Sequence, residues 1–223
     1  MKLKKWSWIG LLVLCVTMLV GCQGHESRGY LEELAGKELS RVYPTKNIED
    51  LFVQFPNGFT VSQMRVVGDS NVFVYLEARE KGKPLVGTIK QLNSKTKEEE
   101  KSIPFQYVDG QFVFENEEEA KKLWPQGKFV FQELQLNKDI LAKAKLVNKN
   151  YTKKEESPTG DNTFYLKYNI QLPVVSRILG IDESQPVELF IFGRDESDGF
   201  VYEIGTEQDH QTTLWEMIRE IRK

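Results

Sequence analysis

The run Phe105-Gln106-Tyr107-Val108-Asp109-Gly110-Gln111-Phe112-Val113-Phe114 predicts a β-hairpin. Aromatic and apolar residues alternate with polar ones on both sides of the Asp-Gly pair. Asp-Gly is favoured at the two central positions of a type I′ turn, where both residues take a positive φ. Two strands joined by so short a turn pair in antiparallel fashion. The run therefore predicts an antiparallel sheet.

The same alternation with a period of two recurs along the chain on both sides of this hairpin. Phe59, Val61 and Gln63 share one face of a predicted strand. Further strands are predicted at 72–77, 85–92, 129–136, 163–172, 187–192 and 200–204. Short turns join many of these segments, so the sheet is predicted to be a meander.

Helical spacing of apolar residues predicts helices between the strands. These helices are predicted at Tyr30–Val42, Glu115–Trp124, Asp139–Val147, Val174–Leu179 and Leu214–Arg222. The predicted fold class is α+β, with an antiparallel sheet meander and helices packed on one face. The polar segment 151–162 is predicted to be either a long loop or the boundary between two small subdomains.

The first 22 residues have the features of an export signal. Lys2, Lys4 and Lys5 form a positive start, and 13 mostly apolar residues follow at Trp8–Val20. This is the length of a secretory apolar region, whereas a helix that spans a membrane needs about 20 such residues. The sequence Leu19-Val20-Gly21-Cys22 resembles a bacterial lipobox, in which the cysteine thiol accepts a diacylglyceryl group.

We therefore predict a lipoprotein signal peptide at 1–21, a lipidated tether at 22–29 that begins with acylated Cys22, and a domain at 30–223. The acyl chains are expected to hold the protein in membrane lipid, at the extracellular face of the cell membrane. The alternative is an uncleaved anchor helix at Trp6–Gly21. Cys15 leaves with the signal peptide, so the exported domain is predicted to have no disulfide.

The charge distribution bears on the partners of the protein. The chain has 30 basic and 33 acidic residues, and 27 basic residues remain once Lys2, Lys4 and Lys5 are removed. An acidic exported chain is not expected to bind nucleic acid. The stretch 138–154 is the exception, because six lysines there face only Asp139.

Five of these lysines are a candidate surface for anionic lipid or an acidic partner: Lys143, Lys145, Lys149, Lys153 and Lys154. Such a surface is attracted to anionic headgroups. The alternative is an ordinary solvated face with no partner.

The composition limits the chemistry that the chain can perform. Two cysteines and two histidines are too few for a zinc cluster and argue against a histidine-based catalytic triad. His25 and His210 lie in polar surroundings and are predicted to be solvated. The acidic triplets 98–100 and 117–119 are also predicted to be solvated. No catalytic residue, metal ligand or cofactor is predicted.

The loop Asp195-Glu196-Ser197-Asp198-Gly199 is rich in oxygen ligands. It lacks the alternating acids and the distal glutamate of a calcium loop. We predict a hairpin turn at this position rather than a calcium site.

The run Tyr43-Pro44-Thr45-Lys46-Asn47-Ile48-Glu49-Asp50-Leu51, after a lipobox and a short helix, resembles the tandem-type lipoproteins, the conserved staphylococcal antigen family of Gram-positive bacteria. Looser similarity extends over four more segments: Lys81–Glu100, Ile103–Phe114, Phe129–Gln132 and Tyr165–Ile170. Family members end in a strand, whereas Leu214–Arg222 is predicted here to be a helix.

The resemblance implies a surface lipoprotein without catalytic residues or a cofactor. It also implies a role in host contact and stimulation of innate immunity, with a protein partner that the sequence does not identify. Two functions are therefore expected: a membrane-anchored interaction protein or, as the alternative, an envelope lipoprotein that binds a small ligand. A deep apolar pocket would favour the ligand binder, and a filled core would favour the interaction protein.

Overall fold

The computed structural model describes residues 24–195, 200–208 and 211–221. They contain a ten-stranded antiparallel sheet. Its strands are β1 Phe59–Val67, β2 Ser70–Ala78, β3 Leu85–Asn93, β4 Glu99–Val108, β5 Gln111–Phe114, β6 Lys145–Thr152, β7 Asn162–Ile170, β8 Val187–Asp195, β9 Val201–Gln208 and β10 Gln211–Glu220. Their order is β5-β4-β3-β2-β1-β10-β9-β8-β7-β6, so β1 pairs with β10 at the centre, and β5 and β6 are the two edges.

The described helices are few and short. They are α1 Arg28–Leu39, α2 Glu117–Leu123, α3 Lys138–Lys143 and α4 Pro173–Leu179, with 3-10 helices at Ile48–Val53 and Val130–Gln132. The antiparallel meander is confirmed, but the chain is mostly β rather than α+β. Helices of 6 to 12 residues supply only part of the cover over the sheet, since irregular segments and 3-10 turns supply the rest.

The hairpin predicted at Phe105–Phe114 is confirmed. Val108 pairs with Gln111, and Asp109 and Gly110 have φ values of 50° and 77°. Two positive φ values are the signature of a type I′ turn. Most of the polar segment predicted at 151–162, namely residues 153–161, connects β6 and β7, which are neighbours in the same sheet.

One face of the sheet forms the core. Val61, Leu76, Leu166 and Ile218 are fully buried members of one continuous apolar cluster. At one end of the sheet the interior is filled by aromatic rings: Phe105, Phe112, Phe114, Trp124 and Phe129. The cluster runs from Leu31 to Ile218, so this apolar core is built by residues that follow the predicted tether.

Two predicted elements are wrong, and a third is right only in its first part. The helix predicted at 214–222 is contradicted, because β10 occupies Gln211–Glu220. Residues 129–136 do not form a strand but include the 3-10 helix Val130–Gln132. The helix predicted at 139–147 ends at Lys143, and β6 begins at Lys145.

Gly36 brings α1 and α3 into close contact. A Cβ atom at this position would lie 2.4 Å from the backbone nitrogen of Lys138, a distance that no side chain tolerates. The glycine that weakens the helical pattern of α1 in the sequence is therefore used for packing. It places the start of α3, and the lysines that follow it, beside the N-terminal helix.

Candidate functional site

The predicted lipidation site lies outside the described residues. This is true of Cys22 and of Leu19, Val20 and Gly21 in the predicted cleavage motif, and His210 is also outside. Within the described part of the chain, no helix combines the length and the apolar character needed to cross a membrane. The nearest described residues are 24–28, and they pack against the domain.

The N-terminal segment, residues 24–28, is held by its own turn and by α3. Ser27 caps α1, because its hydroxyl accepts a hydrogen bond from the Tyr30 backbone N–H at 3.3 Å. The Arg28 guanidinium donates to the carbonyl oxygens of Ala142 and Ala144, both at 3.2 Å. The helix thus starts within the predicted tether, and the segment runs beside the junction of α3 and β6.

Asp195, at the end of β8, provides a second attachment for this segment. Its carboxylate is 3% exposed and accepts hydrogen bonds from the hydroxyls of Tyr30 at 3.0 Å and Tyr151 at 2.9 Å. The Nδ1 atom of His25 lies 3.3 Å from Asp195 Oδ2, and the His25 side chain is 54% exposed. His25 is therefore exposed, as predicted, and one of its ring nitrogens also faces the buried Asp195 carboxylate.

The lysine edge consists of Lys143, Lys145, Lys149, Lys153 and Lys154. Lys143 ends α3, Lys145 and Lys149 lie on the edge strand β6, and the other two follow that strand in the chain. All five residues are exposed, so the structure places the predicted set along one border of the sheet. Lys138 is not part of the lysine edge, because it pairs with Glu33.

A direct contact joins the lysine edge to the N-terminal segment. The Lys149 ammonium donates a hydrogen bond of 2.5 Å to the Glu26 carbonyl oxygen. Glu26 follows the predicted lipidation site, Cys22, by four positions, and four positions of extended chain span no more than roughly 14 Å. The basic surface therefore contacts the described segment that leads to the predicted lipidation site.

The acidic triplets predicted to be solvated are at the surface. Residues 98–100, 117 and 118 are exposed, and Glu119 is partly buried. Hydrogen bonds from Lys101 and Lys122 lower the pKa of Glu119 to about 2. Within the described residues, no cluster of three or more acidic, histidine or cysteine side chains is arranged to hold a metal ion.

Glu216 on β10 is the most completely buried acid of the described residues, and no sequence pattern predicted it. It is completely buried and accepts four hydrogen bonds, from the backbone N–H groups of Val130 and Phe131 and from the side chains of Gln63 and Tyr43. Burial raises the pKa of Glu216 to about 7, and these donors hold it from rising further. The carboxylate has no access to solvent, so we assign it to the architecture of the sheet.

The surface carries several clefts. A cleft of about 470 Å³ lies between β4 and the start of α2, and its lining is mainly polar, including Lys101, Ser102 and Glu119. Lys101 and Glu119 form an ion pair within this lining. Sites for small ligands are predominantly apolar with a few convergent polar groups, so the lining of this cleft does not favour the ligand-binding alternative.

The docked N-terminal segment, next to the lysine edge, is thus the feature that bears on function. The sequence matches neither the models of known protein families nor any curated protein.

Proposed function

We propose that the protein is a bacterial surface lipoprotein, anchored by acyl chains on Cys22 at the extracellular face of the cell membrane, and that its domain is a non-catalytic interaction protein. The observation that supports this most directly is the docking of residues 25–28. His25 contacts Asp195, Glu26 contacts Lys149, and Arg28 contacts the end of α3. A lipid on Cys22 would therefore hold the folded domain directly at the bilayer, in a defined orientation.

Exposed apolar side chains in the half of the sheet opposite the β6 edge support the role as an interaction protein. On the face of the sheet that points away from the core, Tyr75, Val86 and Val113 are 41%, 51% and 59% exposed. They lie on β2, β3 and β5, and nine strand spacings of about 4.8 Å separate the β5 edge from the β6 edge along the sheet. With the β6 edge near the membrane, these apolar side chains are accessible to a protein partner. Host contact would involve this surface, and innate immune stimulation would involve this surface and the lipid.

Fatty-acid labelling in intact cells tests the anchor. The Cys22→Ala variant of the full chain is expected to incorporate no labelled fatty acid and to be found in the medium or as an uncleaved precursor. The matched control is Cys15→Ala, which changes the other cysteine and is expected to be labelled and membrane-bound like the wild type. Labelling of Cys22→Ala at the wild-type level would show that the anchor assignment is wrong.

A further inference from the structure

We propose that the lysine edge and the adjoining N-terminal segment form a surface that contacts anionic lipid headgroups next to the anchor. The inference rests on the proposed function, since it assigns the face that a lipid on Cys22 would turn toward the bilayer. It goes further by naming the partner of that face, an anionic lipid surface.

The N-terminal segment leaves the domain beside the lysine edge. Glu26 touches Lys149, and Arg28 touches the carbonyl groups of Ala142 and Ala144 on either side of Lys143. The chain therefore leaves the domain alongside the lysine edge rather than at a distant point. Any bilayer that holds Cys22 lies within a few residues' reach of these ammonium groups.

Four ammonium groups of the lysine edge are available to a partner. Lys143, Lys145, Lys153 and Lys154 are exposed, and among the described residues none of them makes an ion pair. Other lysines are paired: Lys167, for example, contacts both Glu188 and Glu207. The nearby acids Glu26, Asp139, Glu155 and Glu156 are fewer than the six lysines of the stretch 138–154. The excess positive charge complements anionic headgroups.

An apolar side chain, Val147, lies among these cations. Val147 lies between Lys145 and Lys149, where the β6–β7 register shifts, and it is 50% exposed. A valine flanked by lysines suits the boundary between headgroups and acyl chains, because the apolar group enters the boundary while the ammonium groups stay with the phosphates.

A different explanation makes an opposite prediction. Lysines on edge strands also prevent unwanted pairing with other sheets, and β6 is an edge strand. If this were the only role of the lysine edge, the domain would not distinguish anionic from neutral lipid. Vesicle binding therefore separates the two explanations.

The test uses residues 23–223 without lipid, a part of the chain that contains the whole apolar cluster from Leu31 to Ile218. Co-sedimentation is measured with vesicles of phosphatidylcholine alone and of equal parts phosphatidylglycerol and phosphatidylcholine, at low and at physiological salt. We expect binding to the anionic vesicles only, and weaker binding at physiological salt because of screening. Equal binding to both vesicles, or no binding to the anionic vesicles at low salt, would overturn the proposal.

Two charge-reversal variants, one at the lysine edge and one elsewhere on the sheet, locate the contact. The variant with Lys143→Glu, Lys145→Glu, Lys153→Glu and Lys154→Glu leaves the Lys149 contact intact and is expected to lose binding, on the order of tenfold for each pair of lysines. The matched control reverses four exposed lysines in the turns of the other half of the sheet: Lys81, Lys83, Lys95 and Lys97. Equal loss in both variants would contradict the assignment to the lysine edge.

Circular dichroism is expected to be unchanged in both variants, because the altered side chains are exposed. The vesicle experiment is independent of lipidation, since residue 22 is absent from the tested chain. Failure of vesicle binding with normal labelling of Cys22 would reject this inference alone. Failure of labelling with normal vesicle binding would reject the proposed lipid anchor alone.

Discussion

The side-chain amide of Gln63 donates a hydrogen bond of 3.0 Å to the carboxylate of Glu216, its register partner across the central strand pair β1–β10. The other end of the same amide accepts a hydrogen bond of 3.0 Å from the Trp124 indole. Gln63 therefore connects the buried carboxylate to the aromatic cluster at the β5 end of the sheet. Both side chains of the pair are buried, so each depends on the other to satisfy its polar atoms.

The same carboxylate also holds the connection between α2 and α3 on the sheet. The N–H groups of Val130 and Phe131 donate to its two oxygens at 2.7 and 2.9 Å. Burial and the Glu216 carboxylate raise the pKa of Tyr43 well above its usual value, so the hydroxyl keeps its proton and acts as a donor. The connection thus reaches the centre of the sheet through backbone groups that would otherwise lack partners.

Replacing Glu216 with Ala is expected to destabilise the domain strongly. The change removes the acceptor of four buried donors, and the loss is expected to be about 3–5 kcal/mol in the free energy of unfolding. Urea denaturation followed by circular dichroism measures it. Arg219→Ala, an exposed change on the same strand, is the control and should cost less than about 0.5 kcal/mol. Equal denaturation midpoints for the two variants would contradict the role given to Glu216.

The pKa of Glu216 also predicts how stability depends on pH. Its folded value is about 7 against an ordinary value of 4.5, so between these values the folded chain binds the proton more strongly than the unfolded chain. The free energy of unfolding is therefore expected to fall as pH rises from 4.5 to about 7, by up to about 3 kcal/mol from this group. Urea denaturation at pH 5 and pH 8 measures the difference.

Glu216→Gln is the control for this pH dependence, because the amide fills the same space and does not titrate. The variant is expected to be less stable than the wild type at pH 5, since one oxygen acceptor is replaced by a donor that faces other donors. Its stability should change less between pH 5 and pH 8 than that of the wild type. The same change in both proteins would assign the pH dependence to another group.

Glu216 also explains why two elements were predicted incorrectly. Leu214, Glu216 and Ile218 all point into the core, but a charged residue at the middle position conceals this alternation in the sequence. The remaining apolar residues of 214–222 match helical spacing equally well. The apolar run 129–136 was predicted to be a strand, whereas its N–H groups bind a side chain instead of a neighbouring strand. Tertiary contacts with one carboxylate decided both segments.

The local signals were reliable where the chain supplies its own partners. The Asp109-Gly110 turn and the end of α4 at Gly180, which has a φ of 71°, depend on residues a few positions apart and were predicted correctly. The pairing of His25 with Asp195 joins residues 170 positions apart, and no local pattern indicates it. The lysine edge lies between these cases: its charge was visible in the sequence, but its contact with Glu26 was not.

The last prediction concerns the attachment of the N-terminal segment. Asp195→Ala removes the carboxylate that contacts His25, Tyr30 and Tyr151, so residues 24–31 are expected to exchange amide hydrogen faster while the central strands keep their protection. Hydrogen exchange with mass spectrometry measures this. The control is Asp161→Ala, which removes the Arg194 ion pair at the same end of the sheet without touching the segment. Unchanged exchange at 24–31 in Asp195→Ala would show that Asp195 does not hold the segment. The orientation proposed for the anchored domain would then lose this support, because a free segment cannot fix an orientation.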